Sequence, residues 1–341
     1  MTVKAIGLLS GGLDSTIAVK FMKEMGIDII AVNFSSPFCT CTQKSAGCKS
    51  QAAKVADEFG VPIKSYFLGE AYLDIIRNPK HGYGSQINPC LDCRIMMFSR
   101  TKEIMKELGA SFIFTGEVLG QRPMSQRRDA MTKIDKEAGI DGLILRPLSA
   151  HHFEPTIAEI NGWVDREKLL DFSGRSRKPQ MELADTLEIL EYQCASGGCL
   201  LTDEHFAKRL RDLFDHDKDV TLKDAKLLRY GRQFRISENC KAIVGRDEDE
   251  NKKIGMYMAK HDLLLLPDET SGPTTLLKTS GAELSQEDVF KAALISAYYF
   301  KKVPVGEKVP FLVNSLDPDY KGEKKISSDK ETEENIHQNL I

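Results

Sequence analysis

Apolar and polar positions follow one rhythm through the first 150 residues of this chain and a different one beyond residue 200. "VKAIGLL" at 3–9 carries the short apolar run "AIGLL", the pattern of a strand covered on both faces. It enters a glycine turn, and "TIAVKFMKEMG" then repeats apolar positions at helical spacing as far as a closing glycine. The unit recurs. "IDIIAVNF" predicts a second strand, "KSQAAKVADEFG" a helix closing on Gly60, and "VPIKSYFLG" a third strand. "LDCRIMMFSRTKEIMKELG" has helical spacing, and "SFIFTG" and "LILRPLS" predict strands four and five. Strands alternating with helices predict an α/β fold, a doubly wound, Rossmann-like parallel sheet filling residues 1 to about 150. Residues 155–199 read as an extension packed on it.

From Leu201 the pattern becomes a charged helix "DEHFAKRLRDLF", a basic stretch "LKDAKLLRYGRQFRI", short strands around "KAIVG" and "DLLLLPD", and a helix "SQEDVFKAALISAYYF". This predicts a separate, smaller α+β domain over 201–316, after a first domain over 1–200. Residues 317–341 are charged and poor in apolar residues, and they read as a flexible tail. No internal repeat is present.

Composition changes this picture little. The 341 residues suit two domains, and a net charge of −3 gives no whole-chain basic field. A nucleic-acid partner would therefore need a local basic face. No apolar run approaches the roughly 20 residues of a membrane span, and the first residues lack the order of a signal peptide. The expectation is a cytoplasmic protein with no membrane partner. The eight cysteines are then more interesting, because a reducing compartment favours metal or catalytic roles over disulfides.

The chemistry starts at the first turn, "SGGLDS" at 10–15. It lacks the lysine of the usual phosphate loop and the spacing of the dinucleotide fingerprint. Ser10, Gly11, Gly12 and Ser15 offer hydroxyls and amides suited to a pyrophosphate, and Asp14 offers a carboxylate suited to a bridging magnesium ion. Taken alone, the same residues could be a capped strand-to-helix turn.

After a first strand, "SGGLDS" resembles the pyrophosphatase-loop (PP-loop) signature of the adenine-nucleotide α-hydrolase superfamily. That resemblance implies ATP cleavage between the α and β phosphates, adenylation of a substrate oxygen, and displacement of AMP by a nucleophile. It places adenine against the backbone at Asn33 and Phe34. "TGEVLGQRPMSQ" at 115–126 is similar to a stretch of the tRNA 4-thiouridine synthetase family and puts Gly116 and Glu117 at the end of strand four. "NPCLDC" and "RPLSA" also look like pieces of tRNA thiolation enzymes. The resemblance covers roughly the first 200 residues. An amino-terminal RNA-capturing domain and a rhodanese-like sulfur carrier, both usual in that family, are not seen.

Cys90 and Cys93 form a C-x-x-C opening a helix, and Cys199 sits in a glycine turn. A C-x-x-C admits a redox or persulfide pair, a zinc half-site or cluster ligands, and no second pair completes a zinc site. Three thiolates suit a four-iron four-sulfur (4Fe-4S) cluster with one open iron, which matches the cluster-dependent thiolases of the superfamily. Cys39, Cys41 and Cys48 could be a second metal site, a persulfide relay or plain thiols. Cys194 and Cys240 read as packing residues, and so do His151 and His152 rather than proton carriers.

Two stretches are basic: "GRSRKPQ", with Arg175, Arg177 and Lys178, and "KLLRYGRQFRI", with Arg229, Arg232 and Arg235 among aromatics. Each could grip RNA phosphates or be a solvated face. The run from "LLRYGRQFRI" to "NKKI" resembles the RNA-binding domain of the NFACT proteins of ribosome quality control. Together these features imply an ATP-dependent tRNA sulfurtransferase using ATP, Mg2+ and a 4Fe-4S cluster. Its partners would be tRNA and a sulfur donor, either a cysteine desulfurase or free sulfide, and a homodimer is compatible. The alternatives are a PP-loop enzyme acting on a small-molecule precursor, or an RNA-binding protein with a regulatory nucleotide site.

Overall fold

Lys4–Leu8 (β1) forms the centre of a parallel sheet because its residues are wanted on both faces. Ala5 packs in a core with Ile29 and Phe114, whereas its neighbour Ile6 packs in a second core with Val32 and Ile113. This period-two division of a mainly apolar strand is the signature of a sheet covered on both sides. In the computed structural model, residues 3–39, 48–189, 192, 198–280, 284–322, 324–331, 336 and 340–341 are described. The chain divides into two compact units, Met1–Thr202 and Asp203–Ile341.

In the first unit β1 leads into Leu13–Glu24 (α1), Asp28–Ser35 (β2), Cys48–Glu58 (α2) and Ile63–Phe67 (β3). Glu70–Arg77 (α3) and Cys90–Glu107 (α4) follow, then Phe112–Thr115 (β4), Arg128–Glu137 (α5) and the two-residue strand Ile144–Leu145 (β5). Ile157–Ile160 (α6) and Lys178–Thr186 (α7) complete the unit. The strand order is β3-β2-β1-β4-β5, and every pairing is parallel. The chain runs outward from β1 to β3, then returns to β4 on the other side of β1. Ligands of open parallel sheets bind where that order reverses, beyond the carboxyl ends of the strands. Here that place lies between the ends of β1 and β4.

The second unit opens with Glu204–His216 (α8) and Leu222–Leu227 (α9), each started by a capping carboxylate or hydroxyl, Asp203 and Thr221. Arg232–Ser237 (β6), Cys240–Val244 (β7), Glu248–Gly255 (α10), Leu263–Pro267 (β8), Thr275–Thr279 (β9), Gln286–Tyr298 (α11), Lys308–Ser315 (β10) and Lys325–Asp329 (β11) follow. The antiparallel sheet has the order β11-β10-β8-β9-β7-β6. Helix α11 packs its alanines and Ile295 on one face, in a core with Phe234, Phe300 and Phe311. Ile254 of α10 packs on the other face with Leu227 and Leu276.

The flexible tail expected from residue 317 is corrected by β11. Lys325–Asp329 pairs antiparallel with β10, from Lys308 opposite Asp329 to Leu312 opposite Lys325. Ile326 and Ile336 are buried, and Leu340 bridges to Phe234. Ladder hydrogen bonds with a few apolar anchors order a charged segment that composition alone reads as loose.

Candidate functional site

The turn after β1 is wired by its own hydroxyls. Ser15 Oγ accepts from the Ser10 N–H at 3.2 Å and donates to the Gly12 carbonyl at 2.9 Å, with Ser10 Oγ 3.0 Å away. Gly12 is the N-cap of α1, and the first helical bond runs from the Thr16 N–H to the Gly12 carbonyl. The amides of Leu13, Asp14 and Ser15 therefore have no partner within the helix, and the positive end of its dipole adds to them. This is an anion cradle. Gly11 holds a φ of 80°, and a Cβ there would lie 2.9 Å from the Ala52 nitrogen.

Gly116 lets the end of β4 touch the start of α1. A Cβ at this position would lie 2.3 Å from the Asp14 carbonyl oxygen and 2.6 Å from the Ser15 nitrogen, so only glycine fits without backbone movement. Asp14 itself accepts a hydrogen bond from Gln121 Nε2 at 2.8 Å, with Arg177 Nη2 3.9 Å from the same oxygen. Its other oxygen, Oδ1, is buried and has no hydrogen-bond partner among the described residues. Burial raises its pKa above the ordinary carboxylate value, against the pull of Gln121, Arg177 and Arg122. A carboxylate beside an anion cradle, with one oxygen left unpaired, fits a magnesium ion shared with phosphates.

These groups open into a cavity of about 350 Å³ lined by the ends of β1, β2 and β4 and by α4. Asn33 and Phe34 line it, but the Asn33 side chain serves the scaffold. Its Nδ2 donates to the Leu9 carbonyl at 2.8 Å and clamps the ends of β1 and β2 together. Glu117 is likewise internal. It is 4 % exposed, accepts from Arg146 Nε at 3.1 Å and lies 3.7 Å from Arg94, while Arg146 holds Asp135 bidentately at 2.7 Å. Glu117 thus positions cations beside the cavity.

Cys90, Cys93 and Cys199 line this same cavity, and Cys39 joins them. Cys93 shares a hydrogen bond with Tyr72 and lies within electrostatic reach of Cys90 and Cys39, and Cys199 within reach of all three. Burial pushes the Cys90 and Cys93 thiols up and the Cys199 thiol to about 12. Added positive charge, which iron would supply, favours the thiolate form of such thiols, so the donor set fits an iron–sulfur group. Among the described residues no three His, Cys, Asp or Glu side chains gather closely enough to hold a single metal ion. Cys41 and Cys194 lie outside the described residues, as does the side chain of Cys48. Cys240 is a buried packing residue. His151 and His152 point their Nε2 atoms at the backbone carbonyls of Leu169 and Asp171.

Three arginines were missed or misplaced by sequence reasoning. Arg94 and Arg122 line the cavity, and Arg177, expected on an RNA face, lines it too. Burial lowers the Arg122 pKa, with Arg94 and Arg177 adding repulsion. Three cations facing one space call for a polyanion. The available signals were adjacent ones, the arginine that follows C-x-x-C and the "GQR" within the 115–126 motif.

Of the remaining basic residues, Arg175 and Lys178 are exposed. Arg232 stacks over the Tyr299 ring at 4.4 Å. Arg235 is corrected: it grips Asp212 bidentately at 2.9 and 2.6 Å, beside Lys241, and serves the interior of the second unit.

Comparison with known proteins agrees with this division. The family described as "Thiamine biosynthesis protein (ThiI)" matches residues 1–160, and the family described as "NFACT protein RNA binding domain" matches residues 231–340. The tRNA-specific 2-thiouridylase MnmA of Leptospira biflexa is 27% identical over 201 residues, covering 54% of this chain and 52% of that protein. A probable tRNA sulfurtransferase of Lysinibacillus sphaericus is 31% identical over 145 residues, covering 42% of this chain and 34% of that protein. The chain thus spans about half the length of the first relative and about a third of the second. Residues 1–160 are thus similar to the ThiI family and residues 231–340 to the NFACT RNA-binding domain, with tRNA thiouridylases and sulfurtransferases among the relatives.

Proposed function

We propose that this protein uses ATP to adenylate a carbonyl oxygen of a tRNA uridine and then replaces that oxygen with sulfur. The observation that carries the reading is the shared cavity. One space of about 350 Å³ is lined by Ser10, Gly12, Asp14 and Ser15 on one side and by Cys90, Cys93 and Cys199 on another. Activation and sulfur delivery then need no transfer of the intermediate between sites.

The residues divide the work by chemistry. The α1 amides with Ser10 and Ser15 hold phosphate oxygens, and the backbone at Asn33 and Phe34 meets adenine. Asp14 would hold magnesium, which when bound supplies charge to the phosphates, and Arg94, Arg122 and Arg177 neutralise the pyrophosphate as it leaves. The uridine oxygen attacks the α-phosphorus and the bond to the β-phosphate oxygen breaks. A sulfur nucleophile then adds at the uridine carbon, and AMP departs with the original oxygen. Cys90, Cys93 and Cys199 would hold a 4Fe-4S cluster, which when bound supplies an iron site for sulfide. The alternative source of sulfur is a persulfide on one of these thiols.

RNA affinity comes from the second unit, with Arg229, Arg232 and the Tyr230–Tyr257 ring pair supplying charge and stacking, and from Arg175 and Lys178 of the first. Incubation with ATP labelled on the α-phosphate tests the reading. It predicts AMP and pyrophosphate, with release stimulated by bulk tRNA. ADP as the labelled product overturns it.

A further inference from the structure

Cys39 has no part in the chemistry above, yet its backbone meets that of Cys199 directly. The two residues form an isolated antiparallel bridge outside both sheets. The Leu200 N–H donates to the Phe38 carbonyl at 2.8 Å. A bond between the residues that flank a bridged pair makes the pair itself the non-hydrogen-bonded kind, the closer of the two, with Cα atoms about 4.5 Å apart. Disulfides span Cα separations of about 4.4–6.8 Å, so this pair stands inside the range before any movement. Both Cys39 and Cys199 are half-buried and line the cavity, so small molecules entering it reach them.

We propose that Cys39 and Cys199 form a reversible disulfide that withdraws Cys199 from the sulfur site. The bond itself follows from the bridge geometry; its consequence for sulfur transfer rests on the function proposed above. The oxidant is a low-molecular-weight disulfide, RS–SR. One cysteine thiolate attacks it, forming a mixed disulfide and releasing RS⁻. The second thiolate attacks the protein sulfur of that mixed disulfide, closing the Cys39–Cys199 bond and releasing another RS⁻. Two protein thiols are oxidised, one small disulfide is reduced to two thiols, and the two protons pass to the leaving thiolates. A dithiol reverses the exchange. Sulfur transfer would then run only while the surroundings keep Cys199 reduced.

The test uses the full-length reduced protein, without iron, ATP or tRNA, treated with oxidised glutathione, alkylated and mapped by peptide mass spectrometry without reduction. The expected result is one intramolecular linkage, Cys39 to Cys199, and its absence in Cys39→Ser. Linkage of Cys199 to Cys90 or Cys93, or mixed disulfides alone, overturns the proposal. In a second arm, oxidised wild-type protein should incorporate iron on anaerobic reconstitution to less than half the level of reduced protein, with recovery after dithiothreitol. Equal iron in both states overturns the regulatory half. Reduced protein that takes up no iron counts against the cluster reading of the function and leaves the peptide map to decide the disulfide.

Discussion

In the proposed function, Asp14 is the residue on which the nucleotide chemistry turns. Replacing it by Asn keeps a side chain that fits the turn but removes the charge that faces a cation. Loss of metal-assisted stabilisation worth several kcal/mol predicts a fall in pyrophosphate release on the order of 100-fold or more, with the thermal midpoint little changed. Wild-type turnover by this variant would return the turn to a plain helix cap. Lys241 carries a different expectation. Burial draws its pKa from 10.5 down to about 8, with Arg235 and Arg209 adding to the shift and Asp212 opposing it. Between those values the unfolded chain binds more protons than the folded one, so this group makes the second unit more stable as pH rises from about 8 to 10.5. Lys241→Met should remove that part of the pH dependence, which denaturation at pH 8 and 10.5 measures. Asp212 remains paired with Arg235 in the variant.

At the level of elements, the parallel sheet was legible because its central strands carry short apolar runs and its helices close on glycines. The loop–helix anion cradle was legible for the same reason, since "SGGLDS" sits where β1 ends. What the sequence could not show was contact between distant elements. Gly116 reads as one glycine of a motif; only the structure puts its Cα against the Asp14 backbone. Gly116→Ala should therefore destabilise the first unit by about 1–3 kcal/mol through overpacking and also slow adenylation by shifting α1, checked by urea denaturation alongside pyrophosphate release. Arg177 lies 163 positions from Asp14, and nothing local distinguishes an arginine on a cavity wall from one on a solvated face. Arg235 was misread for the same reason, because its partner Asp212 is on α8 and appears in sequence as one charge among many. The order of residues 325–329 was hidden because edge-strand pairing uses backbone bonds that composition does not report.

For the whole molecule, there are two units, each with its own core, and the proposed function assigns nucleotide chemistry to the first and most of the RNA affinity to the second. Arg232→Gln should weaken tRNA binding and reduce the slope of log affinity against log salt by about 1, since one fewer counterion is released. Arg235→Gln should instead lower the stability of the second unit on the order of 3 kcal/mol, because it strips Asp212 of its bidentate partner. A salt titration and a melt on the two variants separate these roles, and the reverse assignment would contradict the geometry. The central claim is that one cavity both activates the uridine and delivers sulfur to it. The most direct test is a single-turnover reaction of anaerobically prepared protein with α-labelled ATP, radiolabelled sulfide and tRNA, run beside Cys199→Ala. The account predicts AMP and thiolated nucleoside in equal amounts for the wild type, and pyrophosphate release without sulfur incorporation for the variant. Full sulfur incorporation by Cys199→Ala would contradict it.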